Sequence, residues 1–361
     1  MEELLKQIDE RRTSFKTDSY SMSIGELVNL YENKEIIIRP EYQRLFRWSH
    51  SQKVKLIESV MLGIPIPSIF VYQNDDGIWE LVDGLQRVST ILQLFGKLQD
   101  VEPLILEGTK HIPALEGFKW TNSIDSEKEI PPTLKLTIKR SKIDLTIILN
   151  ESDKRAKFEV FQRLNTGGSN ASNQEIRNNI MIMINPDRYT WFESLANDSN
   201  FMETISLSDR LLEEQYHMEL ALRFIAISFF DYNIKKDVAD YLDEINELLL
   251  ETETEKLSEI ENNFKNTFLI LNRNLGEKSF KKFNGDDFKG KFLESSFEAI
   301  ASGLSKNIED YIDDSADDLL KNRIKELYSQ ETYIRTSGSG SNAKSRIPKL
   351  VPFAIVFFKN E

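Results

Sequence analysis

The spacing of apolar residues changes near residue 184, and this change limits the folds open to the chain. Before it, short β-rich runs alternate with amphipathic helix patterns; after it, strand signals nearly vanish and long helical stripes take their place. We therefore predict an α+β protein, with a mixed α/β domain over residues 1–184 and an all-helical domain over residues 185–361. Inside the second domain, the Gly/Ser-rich run at 336–346 predicts a flexible loop, with a phosphate- or partner-binding role as the alternative.

Individual elements follow from the same periodicities. Apolar residues at helical spacing predict a helix over 51–63, with Ser51 placed to cap it and Gly63 to end it. In the second domain the stripes predict helices over 218–230 and 238–276. The β-rich runs of the first domain predict strands at 36–40, 68–72, 79–83, 134–138 and 145–149.

Composition excludes several classes of function. The chain has no cysteine, which rules out disulfides, Cys-ligated zinc and thiol catalysis, and its histidines (His50, His111 and His217) do not have ligand spacing, so we expect them to be structural or surface residues. The 46 basic and 59 acidic residues give a net charge of −13, so any contact with DNA would have to be local. The charged N-terminus does not look like a signal peptide, and no run reaches the roughly 20 apolar residues of a membrane span. We expect a cytoplasmic protein that does not contact a membrane.

The stretch WELVDGLQRVST (79–90) places polar residues where a predicted strand becomes a helix. A helix N-terminus carries free N–H groups and a partial positive charge, which suit a phosphate, and Gly84 would let a ligand approach closely. Arg87 could bind phosphate oxygens, Gln86 could hydrogen-bond a ligand, and Asp83 could hold a metal or cap the helix. The simpler alternative is that Asp83 is only an N-cap and Arg87 only a surface residue.

A second stretch, IIIRPEYQRLFRWS (36–49), also ends a predicted strand in a polar cluster. Arginines interleaved with aromatic residues can hold phosphate and base, so this segment predicts an anion-binding surface. The alternative is a solvated turn with a buried Trp48. The candidate nucleotide-binding residues here are Arg39, Tyr42, Gln43 and Arg44.

A third stretch, KFEVFQRLNTGGSNASNQEIRNNI (157–180), contains a polar loop with two glycines between two helix patterns. Ser172 and Glu175 have the spacing of a capping box, which explains both structurally. No such explanation covers the remaining polar residues, and the loop could close over a bound nucleotide. The candidate nucleotide-binding residues here are Arg163, Asn165, Gly167 and Arg177.

Taken together, the three stretches resemble the N-terminal domain of GmrSD-type modification-dependent restriction proteins, a family of prokaryotic defence proteins. The family carries the motifs P-x-Y-Q-R-x-x-x-W, Asp-Gly-Gln-Gln-Arg and F-x-R-L-N-T-G-G…E-I-R, and the likeness covers about residues 20–185. This chain matches at Pro40, Tyr42, Gln43, Arg44 and Trp48, at Asp83, Gly84, Gln86 and Arg87, and at Phe161, Arg163, Leu164, Asn165, Gly167, Gly168, Glu175 and Arg177.

The resemblance implies a ParB/sulfiredoxin-like fold for the first domain, in which nucleotide phosphates bind where a strand meets a helix. It also implies hydrolysis of a nucleoside triphosphate, for which we expect Mg²⁺ to be required. Asp83, Gln86 and Arg87 are then the candidate catalytic residues, and Asp83 is the candidate Mg²⁺ ligand. Leu85 departs from the family by replacing the first Gln of the central motif. If that Gln positions a water or the metal, hydrolysis here is weak while binding survives; alternatively, Leu85 simply packs inward.

Many family members also carry a C-terminal nuclease domain of the His-Me finger type, whose chemistry needs a histidine beside metal ligands. After residue 185 this chain has only His217, inside an apolar helix pattern, so we expect no DNA cleavage by this chain alone. The leading hypothesis is a nucleotide-hydrolysing sensor or regulatory component of a phage-defence or restriction system. The alternative is a non-enzymatic protein that scaffolds or neutralises a separately encoded nuclease toxin, with the acidic helical half contacting a basic partner.

Overall fold

The computed structural model describes residues 4–7, 16–38, 48–149, 172–232, 235–338 and 341–360. The chain forms two compact units, residues 1–170 and 171–361. The first is mixed α/β and helices dominate the second, so the predicted α+β class is confirmed. Along the chain, the boundary between the units lies after residue 170 and not at the predicted residue 184. The reason is that the helix over 173–184 packs against helices of the second unit.

A five-stranded mixed sheet organises the first unit, in the spatial order β1-β5-β3-β4-β2. The pairs β1–β5 and β3–β4 are antiparallel, whereas β5–β3 and β4–β2 are parallel. The strands are β1 (Thr17–Ser23), β2 (Ile36–Ile37), β3 (Ile69–Gln73), β4 (Trp79–Asp83) and β5 (Lys142–Ile148).

Within the described residues, the longer helices that accompany the sheet are α1 (Ile24–Glu32), α2 (His50–Met61), α3 (Leu85–Leu94) and α4 (Pro132–Arg140). The predicted N-cap of α2, Ser51, was wrong by two residues. The N-cap is Ser49, which forms a capping box with Gln52. Gly63 follows the end of α2 with a φ of 72°, the left-handed conformation that commonly ends a helix.

The prediction of a strand at 134–138 was wrong, because this segment lies in helix α4. Pro132 occupies the first turn, where its missing N–H and fixed φ favour a helix start. Ile138 is buried, and Leu134, one helical turn before it, is half-buried. The segment therefore has an apolar helical face in addition to its strand-like alternation. Strand β1 was not predicted, because five of its seven residues are exposed and it lacks the apolar alternation of a buried strand.

The second unit is built from eleven described helices and one short hairpin, β6 (Lys282–Phe283) with β7 (Phe288–Lys289), which the expectation of an all-helical domain did not include. The helices are α5 (Asn173–Ile184), α6 (Pro186–Ala196), α7 (Ser199–Ile205), α8 (Asp209–Glu213), α9 (Tyr216–Phe229), α10 (Val238–Glu251), α11 (Thr254–Leu275), α12 (Glu294–Lys306), α13 (Asp317–Leu327), α14 (Glu331–Ser337) and α15 (Ala343–Phe358).

An aromatic cluster forms the centre of this second unit. Its rings lie on α7, α9, α11 and α12, with centroids about 5–6 Å apart in mostly tilted or edge-on pairs, a favoured geometry for buried aromatic rings. The members are Phe201, Phe224, Phe264, Phe268 and Phe297, each fully buried.

The Gly/Ser-rich segment is shorter as a loop than the predicted 336–346. Helix α14 extends to Ser337 and α15 begins at Ala343, so both ends of the segment are helical. Arg346 is buried and belongs to an ion-pair network described below. Over the described part of the chain, no helix combines the length and the apolar character needed to cross a bilayer.

Candidate functional site

The end of strand β4 presents Asp83 through an irregularity in the sheet. Phe70 pairs with Asp83 and Val71 with Leu81, so β4 carries one extra residue, Val82, opposite β3. Such a bulge twists a strand and re-aims its side chains, and bulges are common beside active sites. Asp83 therefore ends β4 directly before helix α3, the junction that the sequence predicted.

Gly84 is the N-cap of α3 and has a φ of 97°, a conformation that L-residues rarely adopt. A Cβ at this position would lie 2.5 Å from Cγ2 of Ile69 on the neighbouring strand. Glycine is thus required by backbone conformation and packing. The proposed contact of Gly84 with a nucleotide stays a prediction.

Asp83 and Arg87 form an ion pair one helical turn apart. Arg87 Nη2 donates to Asp83 Oδ2 at 2.7 Å, with the side chains 15% and 25% exposed. Asp83 does not cap the helix, because α3 has no side-chain cap hydrogen bond. Arg87 Nε is buried and has no acceptor among the residues that the structure describes. A cation in the first turn opposes the helix dipole, and the pairing with Asp83 offsets that effect.

Gln86 connects the junction to the segment that precedes α2. Its side-chain oxygen accepts a hydrogen bond from the backbone N–H of Trp48 at 3.1 Å, and its backbone oxygen accepts one from the Thr90 hydroxyl at 2.6 Å. Two motifs of the sequence therefore meet in space, because Trp48 ends the first and Gln86 lies in the second. Leu85 is half-buried beside them.

The predicted first-motif residues Arg39, Tyr42, Gln43 and Arg44 lie outside the described residues. The described flanks of this motif contact β4 and the helix that follows it. Ile37 in β2 pairs with Glu80, and β2 runs parallel to β4, toward the end that carries Asp83. The other flank is Trp48, which bonds to Gln86.

The third motif is divided in the same way. Arg163, Asn165 and Gly167 lie outside the described residues, whereas Ser172 and Glu175 form the predicted capping box at the start of α5, which is confirmed. Arg177 belongs to the second unit, separate from the unit that contains Asp83. The role of Arg177 in nucleotide binding stays a prediction.

Arg177 has structural partners that the sequence did not reveal. Its side chain is 1% exposed and donates from Nε to Asp243 Oδ1 at 2.7 Å and from Nη1 to Glu219 Oε2 at 3.3 Å. Further bonds go to Gln174 Oε1 and to the backbone oxygen of Ala239. The guanidinium therefore holds α5 against α9 and α10.

A buried ion-pair network continues from there through the second unit. Arg223 on α9 bonds to Glu219 and Glu294, and it lies 3.3 Å from Glu298, which is fully buried. Arg346 on α15 forms a two-pronged contact with the same Glu298, at 2.6 and 2.9 Å. Burial alone would lower the pKa of Arg223, but the carboxylates of Glu298 and Glu294 outweigh burial and raise it.

This network was missed at the sequence level because its members lie far apart in the chain. The pair of Arg346 and Glu298 is separated by 48 residues, and no local pattern marks either side chain. Only the placement of charged residues inside apolar helix stripes, as for Arg223 in MELALRFIAISFF, could have indicated buried partners.

The described residues offer limited means of holding a metal. No group of three or more His, Asp or Glu side chains is close enough together in the described ranges to bind one. Mg²⁺ is often held by one or two carboxylates together with substrate phosphates, so a lone Asp83 fits only a mode in which phosphates complete the coordination. His217 is buried on α9, in agreement with its expected structural role.

Comparison with known proteins agrees with the family resemblance of the first domain. Residues 24–182 match the family described as the GmrSD restriction endonuclease, N-terminal domain. No curated protein and no solved structure is significantly similar to the chain. The ParB/sulfiredoxin-like assignment therefore stays a prediction, whereas the domain match implies a component of a restriction or phage-defence system. Residues 24–182 of this chain therefore contain a segment that matches the GmrSD-type restriction N-terminal domain family.

Proposed function

We propose that this protein binds a nucleoside triphosphate with Mg²⁺ at the β4–α3 junction and hydrolyses it, as a sensor or regulatory component of its restriction or phage-defence system. The observation that carries the proposal is the arrangement of Asp83 and Arg87. A carboxylate and a guanidinium pair at 2.7 Å beside a helix N-terminus, and Arg87 keeps a buried Nε without an acceptor among the described residues.

Each residue of the junction has a role in this proposal. Arg87 binds phosphate oxygens through a charge-assisted hydrogen bond, and the backbone N–H groups at the start of α3 face the same ligand. Gln86 orients the substrate or a water while its own position is fixed by Trp48. Asp83, released from Arg87 when phosphate takes its place, becomes free to bind the metal. When bound, Mg²⁺ neutralises charge on the phosphates.

The first and third motifs complete the proposed site. Arg44 and its neighbours Arg39, Tyr42 and Gln43 follow β2, which is adjacent to β4. Arg163, Asn165 and Gly167 are proposed to close over the nucleotide, with Asn165 as a second, weaker candidate metal ligand. Arg177 is the least supported member, since its guanidinium is occupied by Asp243 and Glu219.

The proposal is tested by isothermal titration of the full chain with each nucleoside triphosphate, with and without Mg²⁺, followed by a phosphate-release assay. We expect binding of at least one triphosphate and turnover that EDTA abolishes. No binding of any of them would contradict the site, and hydrolysis insensitive to EDTA would contradict the role of Asp83. Restoring the family Gln by Leu85→Gln should raise turnover if Leu85 limits it.

The second candidate function is a non-enzymatic scaffold or neutraliser of a separately encoded nuclease toxin. The distribution of charge favours it: the first unit has 23 basic and 25 acidic residues, a net charge of 23 − 25 = −2, and the second has 23 and 34, a net charge of 23 − 34 = −11. A helical unit this acidic would attract a basic protein. Binding without any turnover, together with capture of a cationic partner by residues 171–361, would favour this candidate.

A further inference from the structure

A cationic surface lies in the first unit, away from the three motifs in sequence. Residues 119–142 contain six basic and three acidic residues, a local excess of 6 − 3 = +3 in a protein of net charge −13. We call the basic residues together with Trp120 the Trp120 patch. The basic members are Lys119, Lys128, Lys135, Lys139, Arg140 and Lys142, and the acidic residues of the segment are Asp125, Glu127 and Glu129.

The fold places two members of the patch beside the Trp120 ring and two others on neighbouring segments. Lys135 and Lys139 lie one turn apart on α4, and their Nζ atoms are 5.6 and 6.0 Å from the centroid of Trp120. The segment of Lys119 runs beside that of Lys128, whose backbone oxygen accepts a hydrogen bond from the Lys119 N–H at 3.0 Å. Lys128 Nζ lies over the ring of Phe118.

Most of these charges are not paired with a carboxylate among the residues that the structure describes. Lys135 pairs with Glu129 at 2.5 Å, and Lys128 donates to a backbone oxygen, that of Glu116. Within the part of the chain that the structure describes, none of the other four basic members forms an ion pair with a carboxylate. Three of these four are exposed: Lys139, Arg140 and Lys142.

Trp120 fixes the positions of the ammonium groups and is not itself an open stacking surface. Its ring stacks on Phe95 with centroids 3.9 Å apart, and the two lysines approach it as cation–π partners. Phe95 occupies one stacking position of this half-buried ring and two ammonium groups lie near it, so the surface suits phosphates better than bases.

We infer that the Trp120 patch binds the sugar-phosphate backbone of a nucleic acid without reading its sequence. The uncompensated cations match a ligand with regularly spaced negative charges. The net negative charge of the protein opposes such a ligand, so a local cationic surface is needed for contact, and binding should depend strongly on salt. This inference does not depend on the proposed nucleotide site.

The test measures fluorescence anisotropy of labelled random-sequence oligonucleotides, one duplex and one single-stranded, with the full chain between about 50 and 200 mM salt. The variant is Lys139→Gln/Arg140→Gln/Lys142→Gln. Its matched control is Lys55→Gln/Lys110→Gln/Lys325→Gln, which removes the same charge at exposed lysines outside the patch. Circular dichroism confirms that both variants are folded.

We expect wild type and control to bind alike, and the patch variant to bind about tenfold or more weakly, with a salt slope lower by about 2.7 for duplex or about 2.1 for single strands. The oligonucleotide that binds more tightly, duplex or single-stranded, identifies the form of nucleic acid that the patch prefers. Absence of wild-type binding at low salt, or equal losses in both variants, would overturn the inference. So would displacement by an equal charge concentration of polyglutamate, because the ligand would then be any polyanion. If the lysine side chains serve only to cover the Trp120 and Phe118 rings, wild type should not bind nucleic acid even at low salt.

Discussion

Arg177 Nε donates to Asp243 Oδ1 across 2.7 Å, which joins helix α5 to helix α10 inside the second unit. The side chain is 1% exposed, so its charge is separated from water and depends on its protein partners. An arginine of a sequence motif that looked available for a ligand is therefore an anchor between helices.

Replacing Arg177 by alanine should lower the free energy of unfolding by about 2–3 kcal/mol. This is less than the loss of a partner from a fully buried pair, because Asp243 and Glu219 keep some access to water. Urea denaturation measures the change. Arg210→Ala is the control, since Arg210 pairs with Glu214 on the surface and its loss should cost less than about 1 kcal/mol. Unchanged stability of Arg177→Ala combined with lost nucleotide affinity would contradict the anchoring role.

Replacing Arg87 by alanine should weaken binding of a nucleoside triphosphate by about 1.5–3 kcal/mol, the contribution of a hydrogen bond to a charged group. Isothermal titration measures it, with Arg210→Ala as a control that also removes the arginine of an i,i+4 pair. Equal affinities of wild type and a folded Arg87→Ala protein would remove the junction from consideration as the nucleotide site.

Gly84→Ala should destabilise the protein more than Gly77→Ala. Both glycines have positive φ, 97° and 82°, so both substitutions carry the same kind of backbone strain. Only at Gly84 would the new Cβ meet another atom, Cγ2 of Ile69 at 2.5 Å, whereas nothing lies within 4 Å at Gly77. Thermal and urea denaturation should show an additional loss of about 1–3 kcal/mol at Gly84. Equal losses of stability in the two variants would mean that Ile69 and strand β3 shift to accommodate the new Cβ at little cost.

The stability of the protein should fall in acid partly because of Glu294. Burial alone would raise the pKa of this carboxyl, but Arg223, the Tyr216 hydroxyl and Arg346 outweigh it and hold the pKa below its usual value of 4.5. A carboxylate with a lowered folded-state pKa stabilises the fold above the unfolded-state pKa, and this contribution is lost as pH falls through the folded-state pKa.

Glu294→Gln should accordingly flatten the decline of Tm below about pH 5. Scanning calorimetry over a pH series measures this decline. Glu331→Gln serves as the control, because Glu331 forms an exposed pair with Arg335. A Glu294→Gln protein whose pH profile coincides with that of wild type would show that the network does not couple to acid unfolding.

The full chain should not cleave unmodified duplex DNA in the presence of Mg²⁺. His217, the one histidine after residue 185, is buried on α9, and the described residues contain no group of three metal-binding side chains. An agarose-gel assay over a wide protein concentration range measures cleavage. Magnesium-dependent cutting that disappears in His217→Ala would show that this prediction is wrong.

Local periodicity was sufficient to predict an element where the apolar residues of that element pack against one core. The run WELVD became β4 and the stripe beginning at Leu85 became α3, because both present apolar residues to one core. It failed at 134–138, where Pro132 and the i,i+4 pair of Leu134 and Ile138 outweighed a strand-like alternation. A proline at a possible helix start is the signal that should have decided between the two readings.

The geometry of the candidate site could be predicted only in part. The junction of Asp83, Gly84 and Arg87 could be placed because a strand-to-helix transition is local. The ion pair of Asp83 with Arg87 follows from their i,i+4 spacing across the helix start, a signal present in the sequence. In contrast, the partners of Arg177 come from 42 and 66 residues away, and long-range pairing leaves no local trace.

Most of helix α5 lies in the segment that matches the family model, which ends at residue 182, and the whole helix lies in the compact unit that begins at residue 171. The matched segment and the compact unit therefore overlap at this helix. If recombination moved the family segment onto another C-terminal domain, Arg177 would arrive without Asp243 and Glu219. Any domain that accepts this module must supply equivalent carboxylates, so the two halves of such proteins should be inherited together or should change in concert at this contact.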